Sequence, residues 1–113
     1  MIAYIKLKMI QYLDAMGSSG KKYTSAVKRY LIDEMRDKLN IDPSQEKIDE
    51  WVELQTPAGT PQQQNSYDCG MFVCMYADYV MENLPLIFNQ AHIPMLRKKI
   101  CFCILKSKLL YSL

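Results

Sequence analysis

The sequence predicts one α+β domain, and three observations carry that reading. Short alternating β-forming segments lie at 9–13 and 51–55. An amphipathic helical pattern covers 24–40, and a segment apolar on nearly every helical face covers 70–84. A chain of 113 residues suffices for one core and is short for two. Half of its residues are hydrophobic and 23% are charged, a globular balance rather than a disordered one.

Taken in order, Ala3-Tyr4-Ile5 reads as the end of a strand and Met9-Ile10-Gln11-Tyr12-Leu13 as the next. Lys6-Leu7-Lys8 would be the hairpin turn, although it lacks an Asn-Gly signal. Gly17-Ser18-Ser19-Gly20-Lys21 is loop by composition. From Thr24 to Asn40, Val27, Leu31, Met35 and Leu39 recur every four residues, with charges on the other faces, so that stripe should lie on a core. Asp42-Pro43-Ser44-Gln45 has an acid at a helix N-cap, proline at N1 and glutamine at N3, which starts a short second helix. Trp51-Val52-Glu53-Leu54-Gln55 alternates as a strand and runs into the turn-rich Thr56–Pro61.

The helix from Gly70 to Leu84 should be buried at the centre of the domain, capped by Asp68 and stopped by Pro85. A last helix should run from Ile93-Pro94 to about Leu110, with Leu96, Ile100 and Cys103 or Ile104 inward and five lysine or arginine residues outward. Two or three strands make a poor sheet when both edges lack neighbours, so the domain reads as incomplete.

Several function classes fall away. The net charge is +2, and Arg97-Lys98-Lys99 point in different directions on a helix, so a solvated surface is expected and no nucleic-acid partner. Lys106 and Lys108 interrupt the apolar tail from Ile100 to Leu113, which is too short to cross a membrane. The first residues lack a signal-peptide layout, so an intracellular, reducing compartment is expected. Cys69, Cys74, Cys101 and Cys103 form no C-x-x-C pair, which argues against a metal site, and the compartment argues against disulfides. They are expected to be free thiols, and Cys74, inside the apolar helix, an inert buried one. No cofactor is expected.

Cys69 stands apart because it sits where the buried helix begins. Free backbone N–H groups and the positive end of the helix dipole stabilise a thiolate, and the same groups can donate to an oxyanion. The polar run Gln62-Gln63-Gln64-Asn65-Ser66 brings further amide donors to the approach.

The segment Pro61-Gln62-Gln63-Gln64-Asn65-Ser66-Tyr67-Asp68-Cys69-Gly70-Met71-Phe72-Val73-Cys74 closely resembles the catalytic-cysteine segment of the ubiquitin-like-protein proteases, the SUMO protease (sentrin-specific protease) family. The likeness continues through Tyr76-Ala77-Asp78 and from Phe88 to Lys98. Upstream, Ile10–Gly17 is similar to the strand that carries the family's aspartate, with Ala15 in place of the usual serine.

The resemblance implies a papain-like cysteine protease fold of the SUMO protease type, truncated on its N-terminal side. It implies Cys69 as nucleophile, Asp14 as the acid that orients a histidine, and Gln63 as a donor to the oxyanion hole. Taken alone, Asp14 reads as a turn residue. The implied partners are a SUMO-like modifier and its conjugates, together with the rest of the domain, and the implied location is the nucleus or cytoplasm.

Family order is histidine, aspartate, cysteine, and projecting it here puts the histidine a few residues before Met1. His92 reads as a residue near the start of the last helix, with no catalytic role. Two readings stay open: the C-terminal part of a thiol protease domain, expected to be inactive or nearly so alone, and a degenerate paralogue that binds a modifier or a partner.

Overall fold

The computed structural model describes residues 1–109, which fall into two compact units, Met1–Thr60 and the residues from Pro61 onward. In the first, β1 (Ile2–Tyr4) and β2 (Met9–Gln11) form the expected hairpin, with Ala3 opposite Ile10. Its turn closes without Asn-Gly because Lys8 takes the left-handed conformation at φ 53°. The chain continues through α1 (Lys21–Asp37), the single turn α2 (Pro43–Glu46) and β3 (Val52–Leu54). β3 runs parallel to β2, with Ile10 opposite Glu53, an arrangement that needs a crossover such as α1 supplies. The sheet order is β1-β2-β3.

Ala3, Ile10 and Glu53 lie side by side in this register and so share a sheet face. That face meets α1. Ile10, Ile48 and Trp51 form the buried cluster, with Ala3, Val27, Leu31, Ile32 and Met35 packed on it. Lys28 of α1 reaches Glu53 at 3.5 Å on the same side. The opposite face carries Val52, which is exposed, and half-buried Ile2, Met9 and Leu54. Asp42 caps α2 as expected, its carboxylate accepting from the Ser44 N–H at 2.9 Å.

Two boundaries of α1 differ from the sequence expectation. The helix starts at Lys21, inside the stretch read as loop, with Gly20 at its N-cap. It ends at Asp37, where Asn40 turns left-handed (φ 50°) and the Ile41 N–H returns to the Met35 carbonyl. Leu39 therefore leaves the stripe and is exposed.

The second unit contains α3 (Cys69–Met81) and α4 (Ile93–Lys106), joined by a 3₁₀ turn at Gln90–His92. Phe72, Tyr76, Tyr79 and Phe88 form an aromatic cluster with ring centroids 5.3–6.2 Å apart. Met71, Met75, Ile93 and Leu96 complete the buried set.

The expectation of a helix buried on all sides is corrected here. α3 buries only Met71, Phe72, Met75 and Tyr76, whereas Val73 and Met81 are 63% and 85% exposed. A stripe at i, i+1, i+4, i+5 is one face of the helix. α3 also ends before Pro85, at Met81, with Asn83 left-handed and the Leu84 N–H on the Tyr79 carbonyl. In α4, Leu96 is buried and Ile100 and Cys103 half-buried, while Ile104 is exposed. Leu110, the expected end of that helix, lies outside the described residues. No helix among the described residues is long and apolar enough to cross a membrane.

Candidate active site

Cys69 is the first residue of α3 and is exposed. The first N–H groups of any helix lack intrahelical partners, and here no side chain caps them. The expected capping by Asp68 does not occur. Asp68 occupies the N-cap position at φ −92°, ψ 9°, away from the extended conformation in which a side chain reaches back over its helix.

Its carboxylate is held elsewhere. Asn65 Nδ2 donates to Oδ2 at 2.8 Å, Gln90 Nε2 donates to the same oxygen at 2.7 Å, and the Arg97 guanidinium pairs with Oδ1. The Asp68 side chain is 5% exposed. Hydrogen bonds from Asn65, then Arg97, outweigh the effect of burial, and with the Gln90 amide and the Arg97 charge they hold the Asp68 carboxyl below the usual carboxylate range.

The polar run before Cys69 is tied down by hydrogen bonds within itself, to the start of α3 and to Gln90. The Asn65 side-chain oxygen accepts from the N–H groups of Tyr67 (3.2 Å) and Asp68 (3.0 Å), an Asx turn that feeds the chain into α3. The Gln64 N–H donates to Gln90 Oε1 at 2.8 Å. Gln63 Nε2 donates to the Asn65 carbonyl at 2.6 Å. A primary amide carries two N–H groups, so one remains on Gln63 for another acceptor. Gln63 Oε1 is buried without a hydrogen-bond partner.

Gln63 and Cys69 thus belong to one loop-to-helix entry in the second unit. Asp14 belongs to the first unit, after β2, where it organises a turn. Its carboxylate accepts from the Ser18 N–H at 2.7 Å, the Met16 N–H at 3.3 Å and the Ser18 hydroxyl. Burial raises the Asp14 pKa, but the hydrogen bonds from Ser18 and Met16 together outweigh it and leave the value lowered. His92 Nδ1 accepts from the Asn89 N–H at 3.1 Å while Asn89 Oδ1 accepts from the Ala91 N–H, a capping role that engages that ring nitrogen.

Two further expectations change. Cys74 and Cys101 are exposed because they lie off the buried stripes of their helices, whereas Cys103, on the inward side of α4 with Leu96 and Ile100, is half-buried. Arg97, read as part of a solvated basic surface, turns onto Asp68. Its phase contained the signal: Arg97 follows buried Ile93 by one helical turn and adjoins Leu96. Asn65, Gln90 and Arg97 were not singled out by sequence reasoning as a group acting on Asp68. Among the described residues no group of three or more His, Cys, Asp or Glu side chains converges to hold a metal ion.

An uncapped helix start bearing an exposed cysteine, entered through a hydrogen-bonded, amide-rich loop, is an arrangement suited to a thiol nucleophile. The sequence matches the family described as "Ulp1 protease family, C-terminal catalytic domain" over residues 4–108, and the chain belongs to that family. It is 40% identical over 107 residues to sentrin-specific protease 2 of Pongo abelii and 39% identical to that of Homo sapiens, matches that cover 94% of this chain and 18% of each relative. Ubiquitin-like-specific protease 1A of Arabidopsis thaliana is 35% identical over 104 residues, 92% of this chain and 20% of the relative. The fold is similar to the C-terminal Ulp1 protease domain solved in complex with Smt3, the yeast orthologue of SUMO. The TM-score is 0.66 at 30% identity, over 89% of this chain and 43% of that one. The chain therefore spans about a fifth of these curated relatives and less than half of the solved domain.

Proposed function

We propose that the chain supplies the nucleophile half of a cysteine protease centre acting on SUMO-like modifiers. Cys69 attacks the carbonyl of the modifier's C-terminal glycine, the C–N bond to the leaving amine breaks, and water then hydrolyses the thioester. The open N–H groups at the start of α3 and the free Gln63 amide hydrogen receive the oxyanion. The family likeness supports Asp14 as the acid that orients the imidazole protonating the leaving amine, a group that His92, engaged as a helix cap, does not supply. The observation that carries the reading is the exposed Cys69 at a helix start that no side chain caps.

Gly70 supports it from another side. A side chain at Gly70 would meet nothing within 4 Å, and its φ is not in the left-handed region. Packing within the chain does not call for glycine there, whereas a polypeptide approaching the neighbouring sulfur would.

The test is reaction of the full chain with SUMO bearing a C-terminal vinyl sulfone. A covalent adduct mapped to Cys69 and lost in Cys69→Ala supports the proposal. No adduct from protein that melts cooperatively would remove the reactive-nucleophile reading. Chemical-shift perturbation by unmodified SUMO in that case would assign the chain as a catalytically silent modifier-binding protein.

A further inference from the structure

Asp68 precedes the nucleophile directly, and a free carboxylate there would oppose a thiolate, because like charges at short range disfavour each other. The network described above answers that problem. Arg97 is the charged group that the structure sets against Asp68, and the other two donors, Asn65 Nδ2 and Gln90 Nε2, are neutral. The first turn of α3 holds no acidic side chain, and His92 is engaged through Nδ1 with Asn89.

We infer that Arg97 is a positioning residue for Cys69: it neutralises and clamps Asp68, keeping that negative charge from opposing the thiolate and from covering the N–H groups at the start of α3. The lowered pKa of Asp68, owed first to the Asn65 amide and then to Arg97, leaves a negative charge beside Cys69, and Arg97 is the cation paired with it. The amide donors alone would fix the carboxylate in place and leave its charge uncancelled. Arg97 has 49% of its side chain exposed, so its charge is maintained at little desolvation cost.

This inference rests on Cys69 as the nucleophile, but its test reads the thiol and needs no modifier. The full chain is alkylated with iodoacetamide across a pH series, and each of the four cysteines is followed by peptide mass spectrometry. Arg97→Gln, which keeps a donor and removes the charge, should slow Cys69 about three- to tenfold at pH 7 and move its pH–rate profile upward. Cys74, Cys101 and Cys103 should not change. Arg97→Lys should retain most of the parent rate, and Asp68→Asn/Arg97→Gln should recover it, since the offending charge is then gone. A Cys69 profile unaffected by Arg97→Gln overturns the inference, as does a double variant no faster than the single. If Arg97→Gln unfolds the chain, all four thiols change together and Asp68→Asn alone decides: a Cys69 rate below the parent's rejects the role. Failure of the SUMO probe to label, with these thiol shifts intact, would reject the proposed function and leave the role of Arg97 standing.

Discussion

The hydroxyl of Tyr76, inside α3, donates to the carbonyl of Pro61, at the mouth of the loop that delivers Gln63 and then Cys69. Tyr76 is buried, so its removal strands a carbonyl as well as losing a bond. Tyr76→Phe should lower stability by about 1 kcal/mol in chemical denaturation with an unchanged m-value. A denaturation midpoint equal to the parent's would mean that the bond does not fix the loop.

Gly70→Ala separates packing from access. The open space at that site lets alanine improve the helix by about 0.5–1 kcal/mol. On the proposed function, the modifier's C-terminus passes the residue next to Cys69, and an added methyl group narrows that approach. Labelling of Cys69 by the SUMO vinyl sulfone should therefore slow by about tenfold, with iodoacetamide alkylation kept near the parent rate. Equal slowing of both reagents would count against a steric role for Gly70.

Acid should release the Asp68 network. The folded-state pKa of Asp68 lies below its ordinary 3.8, so the folded chain binds that proton less readily than the unfolded chain. The resulting stabilisation is present above the ordinary value and is lost as pH falls through the folded one. Asp14 and Asp42 are shifted in the same direction and add to the same slope. Asp68→Asn should flatten the decline in melting temperature below about pH 4 relative to the parent, and parallel curves would show that Asp68 contributes nothing to it.

His92→Ala distinguishes a base from a cap. The ring accepts from the Asn89 N–H at the entry to α4, so the variant should lose about 1 kcal/mol of stability. Cys69 alkylation should keep its pH profile. A changed profile would assign His92 a part in the thiol chemistry.

In the first unit, a Cβ at Gly20 would lie 2.0 Å from Cγ of the Tyr12 ring, itself stacked on Tyr23 at 5.9 Å. Gly20→Ala must displace that ring and should cost about 1–3 kcal/mol, read from thermal unfolding. Gly20→Ala with Tyr12→Ala should be less destabilising than the two single changes added together.

The fold class was legible because its signals are local. The alternation at 9–13, the four-residue stripe of Val27, Leu31 and Met35, and the Asp42-Pro43 start each depend on neighbours in the chain, and each appears in the structure. The ends of α1 and α3 were not legible. Asn40 and Asn83 turn left-handed two or three residues beyond the last helical residue, and composition does not choose that point. The site divides the same way. Cys69 was marked by its short-range setting, whereas Asp68 was misread as a cap because Arg97, 29 residues on, competes for its carboxylate. Likewise the exposed side of α3 follows from what packs on it, which an apolar composition alone does not specify.

Three of the four thiols reach solvent, so Cys69 has no monopoly on access. Any soluble electrophile meets Cys74 and Cys101 as well. What distinguishes the position of Cys69 is a helix start without a side-chain cap and a neighbouring anion tied to a cation. On the role proposed for Arg97, chemoselectivity in this chain becomes a matter of local field, set in part by a residue 28 positions away in sequence (69 to 97).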